Sequence, residues 1–148
     1  MKQKNVIVVG KGPLCIKICS WFNKSEEYNL EMVVPVVPEP THRMSTESLI
    51  DWCIENNIEF LPDGNYENIP GCKEEDWKYD LVFSVFYDKI IKKWFIDKCE
   101  NILNLHNAPL PKYRGITPIN WALKNKENYH GVTIHKITPG IDDGDIIA

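Results

Sequence analysis

The chain has no apolar stretch approaching the ~18 residues that a membrane-spanning helix requires, no internal repeat and no low-complexity tract. Its five cysteines, Cys15, Cys19, Cys53, Cys72 and Cys99, are odd in number and include no CxxC pair. Neither a disulfide framework nor a zinc site is indicated. Cys15 and Cys19 sit four apart on a predicted helix, which suits two small core residues kept reduced. An excess of positive charge is also missing. The formal net charge of −4, with 43% hydrophobic and 26% charged residues, leaves no broad electrostatic footprint for nucleic acid. Residues 1–5 lead into only a short apolar run, so no secretory signal pattern opens the chain. These absences lead us to expect a cytoplasmic protein with no metal, membrane or nucleic-acid partner, built as one domain over residues 1–148.

What is present is an alternation of strand and helix patterns. Val6 to Val9 is an unbroken apolar run, as expected for a strand covered on both faces. Gly10, Lys11, Gly12 and Pro13 turn it into a helix whose expected buried face is Leu14, Ile18, Trp21 and Phe22. Residues 31–37 form a second predicted strand, in which Pro35 removes a ladder donor and marks an edge or a bulge. Residues 38–43, including His42, are loop, and Ser45 is the expected cap of a helix carrying Leu49, Ile50 and Cys53. A short strand follows at 58–60. Residues 62–78 are rich in turn formers and acids and predict a surface loop with one short helix. Then come a strand at 80–86, a helix at 90–99, a strand at 102–105, a helix at 119–126 and a strand at 130–137. In the last, Val132 and Ile134 face opposite to Thr133 and His135. This order predicts an α/β fold with a mainly parallel sheet and right-handed crossovers.

Open parallel sheets bind ligands beyond the carboxyl ends of their strands, and Asn104 and His106 fall at such an end. Being two apart, they project to one face of an extended backbone. Asp142 lies in a glycine-flanked loop able to fold back toward the imidazole. An amide, an imidazole and a carboxylate suit a proton-transfer step, and imidazole is the one of the three that titrates near neutral pH in its ordinary chemistry. A metal would need three or four donors, and only His106 and Asp142 are well placed. His130 and His135 read as structural. The Gly10-Lys11-Gly12 turn could cradle a phosphate at a helix start or be a plain strand-to-helix turn. It is neither a Walker loop nor a full GxGxxG.

The run from Asn104 through Leu110, Pro111, Lys112, Tyr113, Arg114 and Gly115, followed by Gly131 to His135 and Gly140 to Asp145, resembles the folate-dependent formyltransferases. That family includes glycinamide ribonucleotide transformylase, methionyl-tRNA formyltransferase and the sugar N-formyltransferases. The resemblance extends over essentially the whole chain and implies a Rossmann-like three-layer fold of the formyltransferase type. It implies formyl transfer from N10-formyltetrahydrofolate to a primary amine, with Asn104, His106 and Asp142 as the catalytic three. Phe86, Tyr87, Ile90 and Ile91 resemble the segment lining the pterin pocket, although Ile90 and Ile91 taken alone would be the buried face of a helix start. Pro139, Gly140 and Ile141 resemble the loop that pairs with the pterin ring, the alternative being a turn without a ligand. Candidates on the acceptor side are Gly10, Lys11, Gly12, Lys89, Arg114, Gly115 and Thr117. The tight turn at Leu110-Pro111, with the resemblance, leads us to expect a cis peptide there.

The Gly-Ser-Asn phosphate loop of glycinamide ribonucleotide transformylases is missing at Gly10. Methionyl-tRNA enzymes of the family carry a further C-terminal module, which is absent from this sequence ending at Ala148. The expected acceptor is therefore a nucleotide-linked amino sugar, a dTDP- or UDP-linked 4-amino-4,6-dideoxyhexose. The alternatives are glycinamide ribonucleotide or methionyl-tRNA formylation, or a non-catalytic folate- or nucleotide-binding module. Ile146 and Ile147, uncovered at the end of the sequence, lead us to expect a homodimer that buries them.

Overall fold

Val6, Ile7, Val8 and Val9 are all excluded from solvent because the strand they form, β1 (Lys4–Gly10), is paired on both edges and covered on both faces. The computed structural model describes residues 2–39 and 47–148. Within it, five strands form one sheet in the order β2-β1-β3-β4-β5. The other strands are β2 (Tyr28–Pro35), β3 (Tyr79–Val85), β4 (Cys99–His106) and β5 (Thr133–Lys136). The first four run parallel, and β5 is antiparallel to β4. This is the mainly parallel α/β sheet that the element order predicts.

Alternation along the strands divides the core into two layers. Val6, Val8, Phe83 and Leu105 pack on one face against α1 (Gly12–Lys24) and α2 (Leu49–Glu55). Ile7, Val9, Val82 and Ile102 pack on the other against Tyr66, Ile69, Ile91 and Phe95. The remaining helices are α3 (Lys93–Ile96) and α4 (Pro118–Lys124), with a single 3₁₀ turn at Tyr66–Asn68. Gly10 is required where β1 ends. A Cβ there would collide with the carbonyl oxygen of Val85, the group that accepts the Lys11 N–H.

Several local expectations need correction. The buried stripe of α1 is Cys15, Ile16, Cys19 and Phe22, whereas Leu14 and Trp21 are exposed, Trp21 by 61%. Residues 14, 18 and 21 and residues 15, 19 and 22 share the same helical spacing one position apart, so hydropathy selected the stripe with the larger side chains. The small thiols allow the closer approach to the sheet. The expected helix at 90–99 shrinks to Lys93–Ile96, because the backbone groups of Ile90 and Lys92 bond to the hydroxyl of Tyr66 and Cys99 already begins β4. The strand expected at 58–60 is a single bridge between Val33 and Phe60.

Pro35 closes β2, an edge strand, and the register of β1 against β2 shifts between Val6 and Ile7. The cap of α2 is Ser48, whose hydroxyl accepts the Asp51 N–H, with Glu39 accepting those of Leu49 and Ile50. Ser45 and His42 lie outside the described residues. Leu110–Pro111 is cis, as expected, and Val37–Pro38 is cis as well. Ile146 and Ile147 are exposed, and the end of the chain runs antiparallel beside β5 through Ile147 N–H to Ile134 O. No helix among the described residues is long and apolar enough to cross a membrane.

Candidate active site

The carboxyl end of β4 presents Asn104 and His106 on one face, as their spacing requires. Antiparallel pairing sets His135 of β5 directly opposite Asn104. The His135 ring is buried, and its Nδ1–H donates to the carbonyl oxygen of Lys136 at 2.9 Å. In the neutral ring Nε2 is then left as an acceptor for the Asn104 amide Nδ2, 3.2 Å away. One amide hydrogen of Asn104 is thereby directed, and the other remains free to donate elsewhere.

His106 is buried, with its Nε2–H donating to the carbonyl oxygen of Tyr113 at 2.7 Å. Its Nδ1 lies 3.5 Å from Asp142 Oδ2. A neutral ring would turn a lone pair toward that carboxylate, whereas a second proton on Nδ1 makes the contact attractive. Asp142 adopts a left-handed backbone with φ 49°, a conformation that Asp tolerates better than most residues. That geometry swings its side chain inward. Oδ2 accepts the Gly115 N–H at 2.8 Å, and Oδ1 lies 3.4 Å from His135 Nε2. The turn at 113–115 thus grips both partners, with a carbonyl on His106 and an N–H on Asp142.

These side chains border a largely apolar cavity of about 750 Å³. Of the residues expected on the pterin side, Phe86, Tyr87, Ile90, Ile91, Gly140 and Ile141 line it and Pro139 does not. Ile90 is 82% exposed and Ile91 only 6%, so the first fits the pocket reading and the second also serves the core. On the acceptor side Lys11, Lys89, Gly115 and Thr117 line the cavity, whereas Gly10, Gly12 and Arg114 do not. Gly10 belongs to the strand contact described above. Burial pushes the Tyr87 phenol up to about 12, so it remains a hydroxyl at neutral pH. Among the described residues no group of three or more His, Cys, Asp and Glu could hold a metal ion.

His135, expected to be structural, contacts both Asn104 and Asp142. Its alternation with Val132 and Ile134 was visible in the sequence, but its place beside Asn104 depends on which strand pairs with β4. Tyr66, lying in a stretch expected to be a surface loop with one short helix, opens the 3₁₀ turn there but is buried behind the cavity wall. Its aromatic ring, spaced with Ile69 and Cys72 in an acid-rich segment, was the available signal.

Comparison with known proteins bears on this arrangement. The methionyl-tRNA formyltransferase of Finegoldia magna is 44% identical over 70 residues, 47% of this chain and 23% of that protein. The N-formyltransferase of Helicobacter canadensis, solved with folinic acid and dTDP-3-aminofucose, superposes with a TM-score of 0.77 at 26% identity, over 99% of this chain and 51% of that one. Glycinamide ribonucleotide transformylase 1 of Symbiobacterium toebii shares the fold with a TM-score of 0.74 at 18% identity, covering 99% of this chain and 71% of its own. The chain thus spans about half the length of the Helicobacter protein and matches about a quarter of the Finegoldia enzyme. A sequence profile described as formyl transferase matches residues 19–148, a span that holds the Asn-His-Asp cluster and all of the sheet except β1, and the chain belongs to the formyl transferase family.

Proposed function

We propose that the protein transfers a formyl group from N10-formyltetrahydrofolate to the primary amine of a nucleotide-linked amino sugar, with Asn104, His106 and Asp142 as its catalytic residues. The observation that carries this reading is the convergence of those side chains on one side of the cavity, with His106 and Asp142 in direct contact. The cavity volume suits a folate, since small-molecule pockets run about 300–1,000 Å³. Phe86, Ile90 and Ile141 offer apolar surface to a flat ring, and the Gly140 loop offers backbone polar groups at its edge.

In the reaction the amine nitrogen bonds to the formyl carbon, the carbon–N10 bond breaks, and the proton lost by the amine ends on N10. Asn104, through its free amide hydrogen, donates to the formyl oxygen as negative charge develops, and protonated His106, its Nε2–H held by Tyr113 O and its Nδ1–H facing Asp142, supplies positive charge beside it. Removing one donor of this kind costs roughly 2.7–4 kcal/mol. Asp142 orients the imidazole, stabilises its cation and helps the pair carry the proton between the two nitrogens. His135 directs the Asn104 amide, and the 113–115 turn holds the His106–Asp142 pair in register.

Lys11 and Lys89 at the cavity can meet the phosphates of a sugar nucleotide. The likeness over nearly the whole chain to a protein solved with a dTDP-amino sugar supports the same acceptor class. Five free thiols suit a reducing, cytoplasmic setting. A tRNA acceptor is the second reading, favoured by the 44% identity to the Finegoldia enzyme. Formyl transfer assayed in parallel on dTDP- and UDP-linked 4-amino-4,6-dideoxyhexoses, glycinamide ribonucleotide and methionyl initiator tRNA separates them. Turnover with a nucleotide sugar is expected. Formylation of the tRNA alone, with RNA binding that weakens steeply in salt, would overturn the choice of acceptor.

A further inference from the structure

A phenol hydroxyl has one proton to donate and lone pairs to accept, and two phenols, Tyr66 buried behind the cavity and Tyr87 half-buried in its wall, use both capacities on backbone groups of another segment. Tyr66 Oη donates to the Ile90 carbonyl at 3.0 Å and accepts the Lys92 N–H at 2.8 Å. Tyr87 Oη donates to the Gly64 carbonyl at 2.7 Å and accepts the Tyr66 N–H at 3.1 Å. Each tyrosine therefore belongs to one segment and fastens the other. The Tyr66 ring packs edge-on against Phe95 at 5.0 Å and against Tyr87 at 6.3 Å. At the outer end, Lys92 Nζ pairs with Glu67 Oε1 at 2.9 Å. Between the fastened points lies the run of chain that faces the cavity.

We propose that Tyr66 and Tyr87 form a reciprocal clasp that sets the cavity wall 86–92, and that Tyr66, which lines no part of the cavity, is a positioning residue for the folate donor. The wall has no regular secondary structure to fix it, since the helix begins only at Lys93, and Phe86 holds a left-handed backbone with φ 59°. Ile90 projects outward over the cavity while its carbonyl is tied down behind. Without the Tyr66 hydroxyl the Ile90 carbonyl and the Lys92 N–H, both in part-buried bonds, lose their partner together, and the wall loses its tie at two points. The Tyr87 hydroxyl points into the clasp, so it acts on a ligand through the position of the wall. The catalytic side chains are held by a different segment, 113–115, so donor binding and chemistry are separable.

The inference rests on the folate reading of the cavity, and two measurements on Tyr66→Phe keep the two apart. Amide hydrogen exchange of the free protein needs no ligand. Exchange across 86–92 is expected to quicken about tenfold or more while β1 and β3 stay protected. Kinetics and binding of 5-formyltetrahydrofolate then test the donor role. The KM for the formyl donor and the Kd of that analogue are expected to rise about tenfold, with kcat and the acceptor KM changed less than about twofold. Tyr87→Phe should reproduce the exchange result. Unchanged exchange at 86–92, or equal rises in donor and acceptor KM, would overturn the clasp as a donor-positioning device. Wild-type protein that bound no folate would overturn the functional reading, and the donor role with it, while the exchange result would still decide the clasp itself.

Discussion

The two walls of the cavity are held in opposite ways. Segment 86–92 is pinned from behind by two phenols, and its Ile91 is packed into the core with Tyr66 and Phe95. Segments 113–119 and 138–145 stand at the surface, with Ile116 88% and Ile141 69% exposed. They are held by polar contacts to the site and to each other, such as Tyr113 to His106, Gly115 to Asp142 and Thr138 to Asp143. Asp142, the proposed catalytic carboxylate, lies on this second side. A wall that receives one co-substrate can be rigid, whereas loops that bring a carboxylate to the reacting atoms and admit a variable acceptor gain from freedom to adjust.

The largest expected effect comes from the proposed catalytic cluster at the cavity. His106→Ala, Asn104→Ala and Asp142→Ala should each fold and lower kcat by about 10²–10³, and a double variant should lose far less than the product of the two. Near-normal turnover of the His106 variant at saturating substrates would remove the assignment. Gly115→Val comes next. Gly115 has φ 91°, where a β-branched residue is strained, and its N–H sits on Asp142. We expect kcat to fall roughly tenfold or more, since small misplacements are costly, with the KM for the folate donor unchanged. A rise confined to the donor KM would mean that the walls are not independent. His135→Asn should lower kcat by about tenfold while preserving thermal unfolding within a few degrees.

The pinned wall should also respond to alkali. Burial and loss of hydration raise the Tyr87 phenol from 10.0 to about 12, and burial raises Tyr66 in the same direction. The folded state therefore keeps protons that the unfolded chain releases. The stability this contributes is fully present below pH 10 and is lost as pH rises through about 12. The free energy of urea unfolding should fall over that window in the wild type and less in Tyr87→Phe. The smallest effect belongs to the exposed side, where Trp121→Ala on α4 should change unfolding free energy by under about 0.5 kcal/mol, because Trp121 is half exposed. A larger loss would show that this face is buried by something else.

Legibility followed how local each cause was. Asn104 and His106 were readable as a pair because a period of two is a property of the strand itself. Asp142 required the further step of a loop folding back, which its glycine neighbours advertised. On α1 Cys15, Cys19 and Phe22 are buried as expected, but Leu14 and Trp21, on a neighbouring stripe of the same spacing, are not, and only the sheet decides which stripe it receives. The 90–99 helix looked complete from its apolar residues, but a tyrosine more than twenty positions earlier competes for its first backbone groups.

By itself the sequence determined the alternation of strands and helices, the position of the amide, imidazole and carboxylate near strand ends, and the family motif that unites them. These are matters of backbone period, turn chemistry and residue type, all set within a few positions along the chain. Only the tertiary structure decided that β5 runs antiparallel beside β4, which carries His135 to Asn104 and Asp142. It alone decided that Tyr66 and Tyr87 hold the wall of the cavity. Both outcomes depend on pairing between segments distant in sequence, where the free energy lies in satisfying buried polar groups that no local pattern can assign.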